Sequence, residues 1–316
     1  MKHWLENNFG YKYEGDISTP YDDDIVILVD PDMLMQRPFV NDFSGFPNSI
    51  WRTHFQNHPD EIYHKVSHGH PMAQDYSFAS AWLTSGNIKA NLVNIVGPDS
   101  PVLRTSKQEA KTFFPAGPPY ILTARDFYRV AYHWSIFLPR IFDYFDGFMA
   151  EMYGYCMASA HLGLKHQMAS GFMISNVKMS GGEGWSFLKD VEEDACKTSK
   201  YSETVPHVIH FCQRYSIGDY FLSKYKLPTD FLSCDFPLLE LPPEDIAATA
   251  TYSHYGDGSY FQWDDGVSHP EQKYRHTFMV CSLMSGLNQA ATFYKDHHCP
   301  NGANYNQTWN TFKELD

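Results

Sequence analysis

The chain has 316 residues, enough for one large domain or two ordinary ones, and its 43% hydrophobic and 19% charged residues are those of a folded globular protein. A net charge of −13 argues against a binder of nucleic acid or of anionic membranes, since both need a basic footprint. The six cysteines (Cys156, Cys196, Cys212, Cys234, Cys281, Cys299) contain no CxxC pair, which excludes a zinc ribbon and a thioredoxin-like site and leaves room for none to three disulfides.

The opening MKHWLENNFGYKYEGD reads as a short helix and a loop. Five apolar residues in a row, Ile25 to Val29, then predict a buried, parallel strand that runs into Asp30-Pro31-Asp32. Residues 36–90 are loop-rich, with aromatic and His punctuation, and NLVNIVG (91–97) reads as a second strand. GPPYILTARDFYRVAYHWSIFLPRIF predicts a turn, a short strand and a long amphipathic helix from about Ala124 that Pro139 kinks or splits. DGFMAEMYGYCMASAHLGLKH predicts a helix capped by Asp146 and ended near Gly163. QMASGFMIS resumes strand character, residues 180–204 have the Gly-rich and then charged profile of a mobile surface loop, and VPHVIHFCQRY is another strand. A tail helix covers roughly 270–297. No apolar run approaches the roughly 18 residues of a membrane span, so the chain as it stands reads as soluble. Strands alternating with helices point to an α/β fold.

Four features bear on chemistry. Asp30 and Asp32, held by a proline beyond the end of a buried strand, form a hard-oxygen site suited to Mg²⁺ or Mn²⁺; Asp-Pro-Asp is also good turn chemistry. His210 shares a strand face with Val208 and is either a metal's nitrogen ligand or a structural imidazole. Glu151 is the one acid of its helix once Asp146 is set aside. Among Met149, Met152, Tyr155 and Cys156 it reads as semi-buried, either paired with a core donor or facing a cleft, where it would orient a sugar or stabilise positive charge. Gly117 and Pro118 in AGPPYILT make a rigid turn, either a plain one or one that lets a substrate approach the backbone.

These features occur in an order that resembles the plant and algal glycosyltransferases that include hydroxyproline O-arabinosyltransferase and peptidyl serine α-galactosyltransferase. The residues carrying the resemblance are VILVDPDM with RP after it, AGPPYILTARDF, AEMYGYCMASAHLGLKH and VPHVIHFCQRYSIGDYF. VSHGHPMAQDYSFASAWL and FYKDHHCP look more like the serine-galactosyltransferase branch. The resemblance implies a GT-A-like, Rossmann-like mixed sheet flanked by helices. It places a catalytic domain over residues 1–245 and a C-terminal extension with a long helix over 246–316. It also implies retaining transfer of galactose or arabinofuranose from a UDP donor to a serine or hydroxyproline hydroxyl of a secreted or cell-wall protein. Asp30 and Asp32 match the DxD motif, His210 the late metal-binding His, and Glu151 the acidic catalytic position. Gly117, Pro118 and Tyr153 are further candidate substrate-binding residues, and Arg214 and Lys224 are downstream cations that either touch the diphosphate or simply lie on the surface. With 29 residues ahead of Asp30, the resemblance further implies a first β-α unit and a signal-anchor lying upstream of Met1, and a Golgi or ER address. A non-catalytic descendant that binds glycoprotein or nucleotide is the main rival expectation; a metal-dependent phosphohydrolase would want more acids and His at the strand ends.

Overall fold

The computed structural model describes residues 1–12, 18–46, 51, 63–179, 182–188, 194–197, 205–254, 259–263 and 271–314. In chain order the elements are α1 Lys2–Phe9, β1 Ile25–Leu28, β2 Met33–Met35, β3 Met72–Asp75, α2 Gly86–Ala90, α3 Leu92–Val96, α4 Lys107–Phe113, β4 Ala116–Thr123, α5 Ala124–Phe142 and α6 Ala150–His161. There follow β5 Gln167–Ala169, β6 Met173–Ile174, β7 Val208–His210, β8 Arg214–Ile217, β9 Tyr220–Ser223, β10 Leu238–Leu239, α7 Ile246–Thr249, β11 Tyr252–His254, β12 Tyr260–Gln262, α8 Glu271–His298 and β13 Thr308–Trp309. The fold is mixed α/β, with both parallel and antiparallel strand pairs. Among the described residues no helix is long and apolar enough to cross a membrane.

The chain divides into two compact units, Met1–Pro31 with Phe39–Phe172, and Asp32–Pro38 with Met173–Asp316. The first is built on a four-stranded sheet in the order β1-β4-β3-β5. All eight residues of β4 are buried because both faces of the sheet are covered. Tyr120 and Leu122 join the large cluster formed with α5 and α6, while Ile121, pointing the other way, joins Phe43, Trp51, Met72 and Phe172. α5 is capped by Thr123, whose side chain accepts the Asp126 N–H.

Several sequence-based expectations need correction here. β1 is antiparallel to β4, not parallel to its neighbour; an apolar run reports burial on both faces and not the direction of the adjoining strand. NLVNIVG is helical: Leu92, Ile95 and Val96 are its buried residues, a helical spacing that a short apolar run shares with a strand. Pro139 does not split α5, which continues to Phe142 with the proline inside it and one backbone N–H donor forgone. The N-cap position of α6 is Met149 and not Asp146, while Gly163, at φ +66°, does follow the helix end. QMASGFMIS yields two short strands, β5 and β6, in different sheets. Much of the surface loop expected over 180–204 lies outside the described residues.

The second unit is organised around α8. Residues His276 to Met284 of that helix are buried consecutively, so its middle is surrounded on all sides. The sheet β2-β7-β6 and the hairpin β8-β9 contribute Leu34, Ile209, Tyr215, Ile217 and Leu222 to the same core. A Cβ built on Gly286 would stand 2.5 Å from Leu34 Cδ2, so the absent side chain is what lets this part of α8 meet β2. Two disulfides, Cys196–Cys281 and Cys234–Cys299, tie the middle of α8 and the residue just past its end to other segments.

Each unit buries an imidazole that burial drives down to about 4: His166, which hydrogen-bonds Tyr155 Oη at 2.8 Å, and His276, whose Nδ1 accepts the Ser216 N–H at 3.2 Å. Between pH 6.5 and about 4 the unfolded chain therefore binds protons that the folded chain refuses. Stability is complete above that window and falls as the pH drops through it, by up to about 1.4 kcal/mol per pH unit for each imidazole. Thermal unfolding followed by circular dichroism should show a midpoint that is level from pH 7.5 to about 6.5 and falls from there to 4.5; a flat profile throughout contradicts this. Gly286→Val should destabilise the second unit by about 1–3 kcal/mol in urea unfolding, because the new side chain meets Leu34.

Candidate metal centre

β1 ends at Leu28, Asp30-Pro31-Asp32 turns the chain, and β2 starts at Met33. β2 pairs antiparallel with β7, and the register sets Met33 opposite His210. The Phe211 N–H then donates to the Asp32 carbonyl at 2.8 Å. Backbone pairing alone therefore brings a residue of the Asp-Pro-Asp turn beside the last residue of a distant strand. The hairpin register of β8 and β9 sets Arg214 opposite Ser223, and Lys224 follows directly.

The side chains complete the arrangement. His210 Nε2 is 3.2 Å from Asp32 Oδ1, and Lys224 Nζ donates to Asp32 Oδ2 at 2.5 Å across 192 residues of sequence. Partial burial works to raise the Asp32 carboxyl, but the Lys224 hydrogen bond and the nearby His210 and Lys224 charges outweigh it and hold the group below the usual carboxylate range. The same hydrogen bond holds the Lys224 ammonium above the ordinary lysine value. One ligand atom each from Asp30, Asp32 and His210 lies within 4.8 Å of the other two. Among the described residues this is the one group of three or more His, Cys, Asp or Glu so placed. Two carboxylates and one imidazole, all half-buried, form a donor set that fits a divalent ion taking oxygen and nitrogen ligands.

The remaining candidate residues are distributed as follows. Arg214 is exposed at the start of β8. Gly117 and Pro118 do not form the expected turn but lie buried within β4, and the space a side chain would take at Gly117 is filled by the Tyr76 ring, 2.2 Å from an ideal Cβ. Tyr153 is buried in α6, its ring 5.4 Å from that of Phe145, and burial pushes its hydroxyl up. Glu151 is exposed, contrary to the semi-buried position its apolar neighbours suggested. It stands in the first turn of α6, where the side chain points away from the packed face and the helix N-terminus favours a carboxylate.

Sequence reasoning missed two supports of His210. The Tyr215 hydroxyl, fully buried, donates to the Ser175 carbonyl at 2.8 Å and lies 3.3 Å from the His210 carbonyl. Glu183 gathers the segment beneath it, accepting from the Ser175 and Asn176 N–H groups, the Ser175 hydroxyl and the Trp185 indole. Burial pushes the Glu183 carboxyl up in spite of these donors. An acid inside the Gly-rich stretch GGEGW was the available signal for Glu183; Tyr215 had none beyond its strand. No protein-family model, curated protein or solved structure matches the chain.

Tyr215→Phe leaves the buried Ser175 carbonyl without its donor and should cost about 1–3 kcal/mol in urea unfolding. Unchanged stability would mean the hydroxyl supports nothing.

Proposed function

We propose that the chain is a metal-dependent, retaining glycosyltransferase with a GT-A-like fold, moving galactose or arabinofuranose from a UDP donor to a serine or hydroxyproline hydroxyl of a protein. The single observation that carries this reading is the Asp30, Asp32 and His210 group, a DxD pair after a buried strand joined by a late imidazole. The four quoted sequence blocks support it further, and the two disulfides suit the oxidising lumen of the ER or Golgi.

In this reading Asp30 and Asp32 supply oxygen ligands and His210 a nitrogen ligand for Mn²⁺ or Mg²⁺. Such an ion, when bound, stabilises the negative charge that gathers on a departing diphosphate. Arg214 and Lys224 are further cations for that diphosphate. Retention follows from same-face attack: the acceptor hydroxyl approaches from the side the UDP leaves, its oxygen bonds the anomeric carbon as the bond to the phosphate oxygen breaks, and that phosphate oxygen takes the hydroxyl proton. Glu151, an exposed carboxylate, has the part of orienting the sugar or stabilising its developing positive charge.

A second reading has a specific observation in its favour. The Lys224 ammonium already neutralises Asp32, as it would in a non-catalytic descendant that binds nucleotide or glycoprotein without turnover. Turnover separates the two. Incubation with Mn²⁺, serine- or hydroxyproline-containing peptides and UDP-galactose or UDP-arabinofuranose should release UDP. Chelation should abolish the release, and Asp32→Ala should lower it about a hundredfold or more. Release that survives Asp32→Ala undiminished overturns the metal assignment, and absence of release with every donor favours the second reading.

A further inference from the structure

Both oxygens of the Asp32 carboxylate are engaged within the protein, Oδ1 by His210 Nε2 at 3.2 Å and Oδ2 by Lys224 Nζ at 2.5 Å. Each oxygen keeps a second lone pair, so a cation can share Asp32, but it then competes with these partners for the charge of the carboxylate. The His210 contact need not be lost, because His210 belongs to the same donor group. The Lys224 contact is the one a cation weakens, because an ammonium has no lone pair to offer and repels a second positive charge at the same carboxylate. The geometry also gives Lys224 somewhere to go. Its side chain is 31% exposed, it follows the end of β9, and its Nζ stands 5.3 Å from the ring centre of Tyr225, which is itself 77% exposed.

We infer that Lys224 is an exchangeable counter-ion: it neutralises Asp32 when no metal is bound, gives up that oxygen when a divalent cation binds, and then serves as a ligand for the anionic part of the substrate, a diphosphate. This inference rests on the metal reading of the preceding subsection and adds to it a coupling between the two ligands. Lys224 opposes the metal while Asp32 is its partner. Once released, the ammonium beside a divalent ion is an uncompensated positive charge, and a diphosphate restores the balance. Metal and diphosphate therefore bind cooperatively, each tightening the other by the same factor, as linkage requires. Tyr225 lies next to Lys224 in sequence and keeps a ring face beside the ammonium when it leaves Asp32.

The test is Mn²⁺ titration of the full chain, followed by the electron paramagnetic resonance signal of the free ion, with and without pyrophosphate, the Mn²⁺ that pyrophosphate holds in the absence of protein being measured separately and subtracted. Lys224→Met should bind Mn²⁺ alone roughly five- to tenfold more tightly than the unaltered chain, since the competing ion pair is gone. Pyrophosphate should tighten Mn²⁺ binding in the unaltered chain and do so several-fold less in the variant. Lys224→Arg should restore both behaviours, and Lys224→Gln takes the place of Lys224→Met if far-UV circular dichroism shows the latter unfolded. Equal or weaker Mn²⁺ binding by the charge-removing variant, with binding still lost in Asp32→Ala, overturns the exchange and leaves the metal site standing. Mn²⁺ binding that Asp32→Ala does not weaken overturns the metal site and the exchange together.

Discussion

The antiparallel pairing of β2 with β7 is the constraint on which the candidate centre depends. It is short, three residues on each strand, yet it fixes His210 opposite Met33 and so places the imidazole against Asp32. A carboxylate that is three-quarters covered is costly unless it is matched by charge or hydrogen bonds. Asp32 meets that demand with one partner from β7 and one from the end of β9. Slipping the pairing by one residue would turn His210 to the opposite face and leave Asp32 with the ammonium alone.

What holds so short a pairing is the core beneath it. Leu34, between the paired residues, meets α8 at Gly286, where a larger residue would force the two apart. Tyr215 and Glu183 anchor the segment after β6, the strand on the other side of β7. α8 is itself fastened by disulfides at Cys281 and Cys299, which limit the freedom of the unfolded chain. Of the two free cysteines, Cys156 is buried and its thiol is pushed up to about 12, a poor nucleophile suited to packing.

The first unit obeys a different logic. β4 is covered on both faces, so its residues are selected for packing in two directions at once. Gly117 illustrates this: the absence of a side chain there accommodates the Tyr76 ring. Thr123 and Asp126, at the start of α5, combine a cap with a buried carboxylate that accepts the Gly69 N–H at 2.7 Å and meets His68 Nδ1 at 2.8 Å, binding the loop before β3 to the helix.

The α/β class, the strand at Ile25–Leu28 and the long helices at Ala124–Phe142 and Glu271–His298 were legible in the chain, because apolar periodicity is a local property; Asp30, Asp32 and His210 were legible singly as candidate ligands, and it was the family resemblance that grouped them. Strand direction, the helical state of Leu92–Val96, the exposure of Glu151 and the choice of four cysteines for disulfides were not. Lys224 was legible as a cation and not as the partner of Asp32. Those features arise from which segments meet across long stretches of sequence, and only packing decides that: an apolar run states that it must be buried, and a charge that it must be matched, but neither names the neighbour.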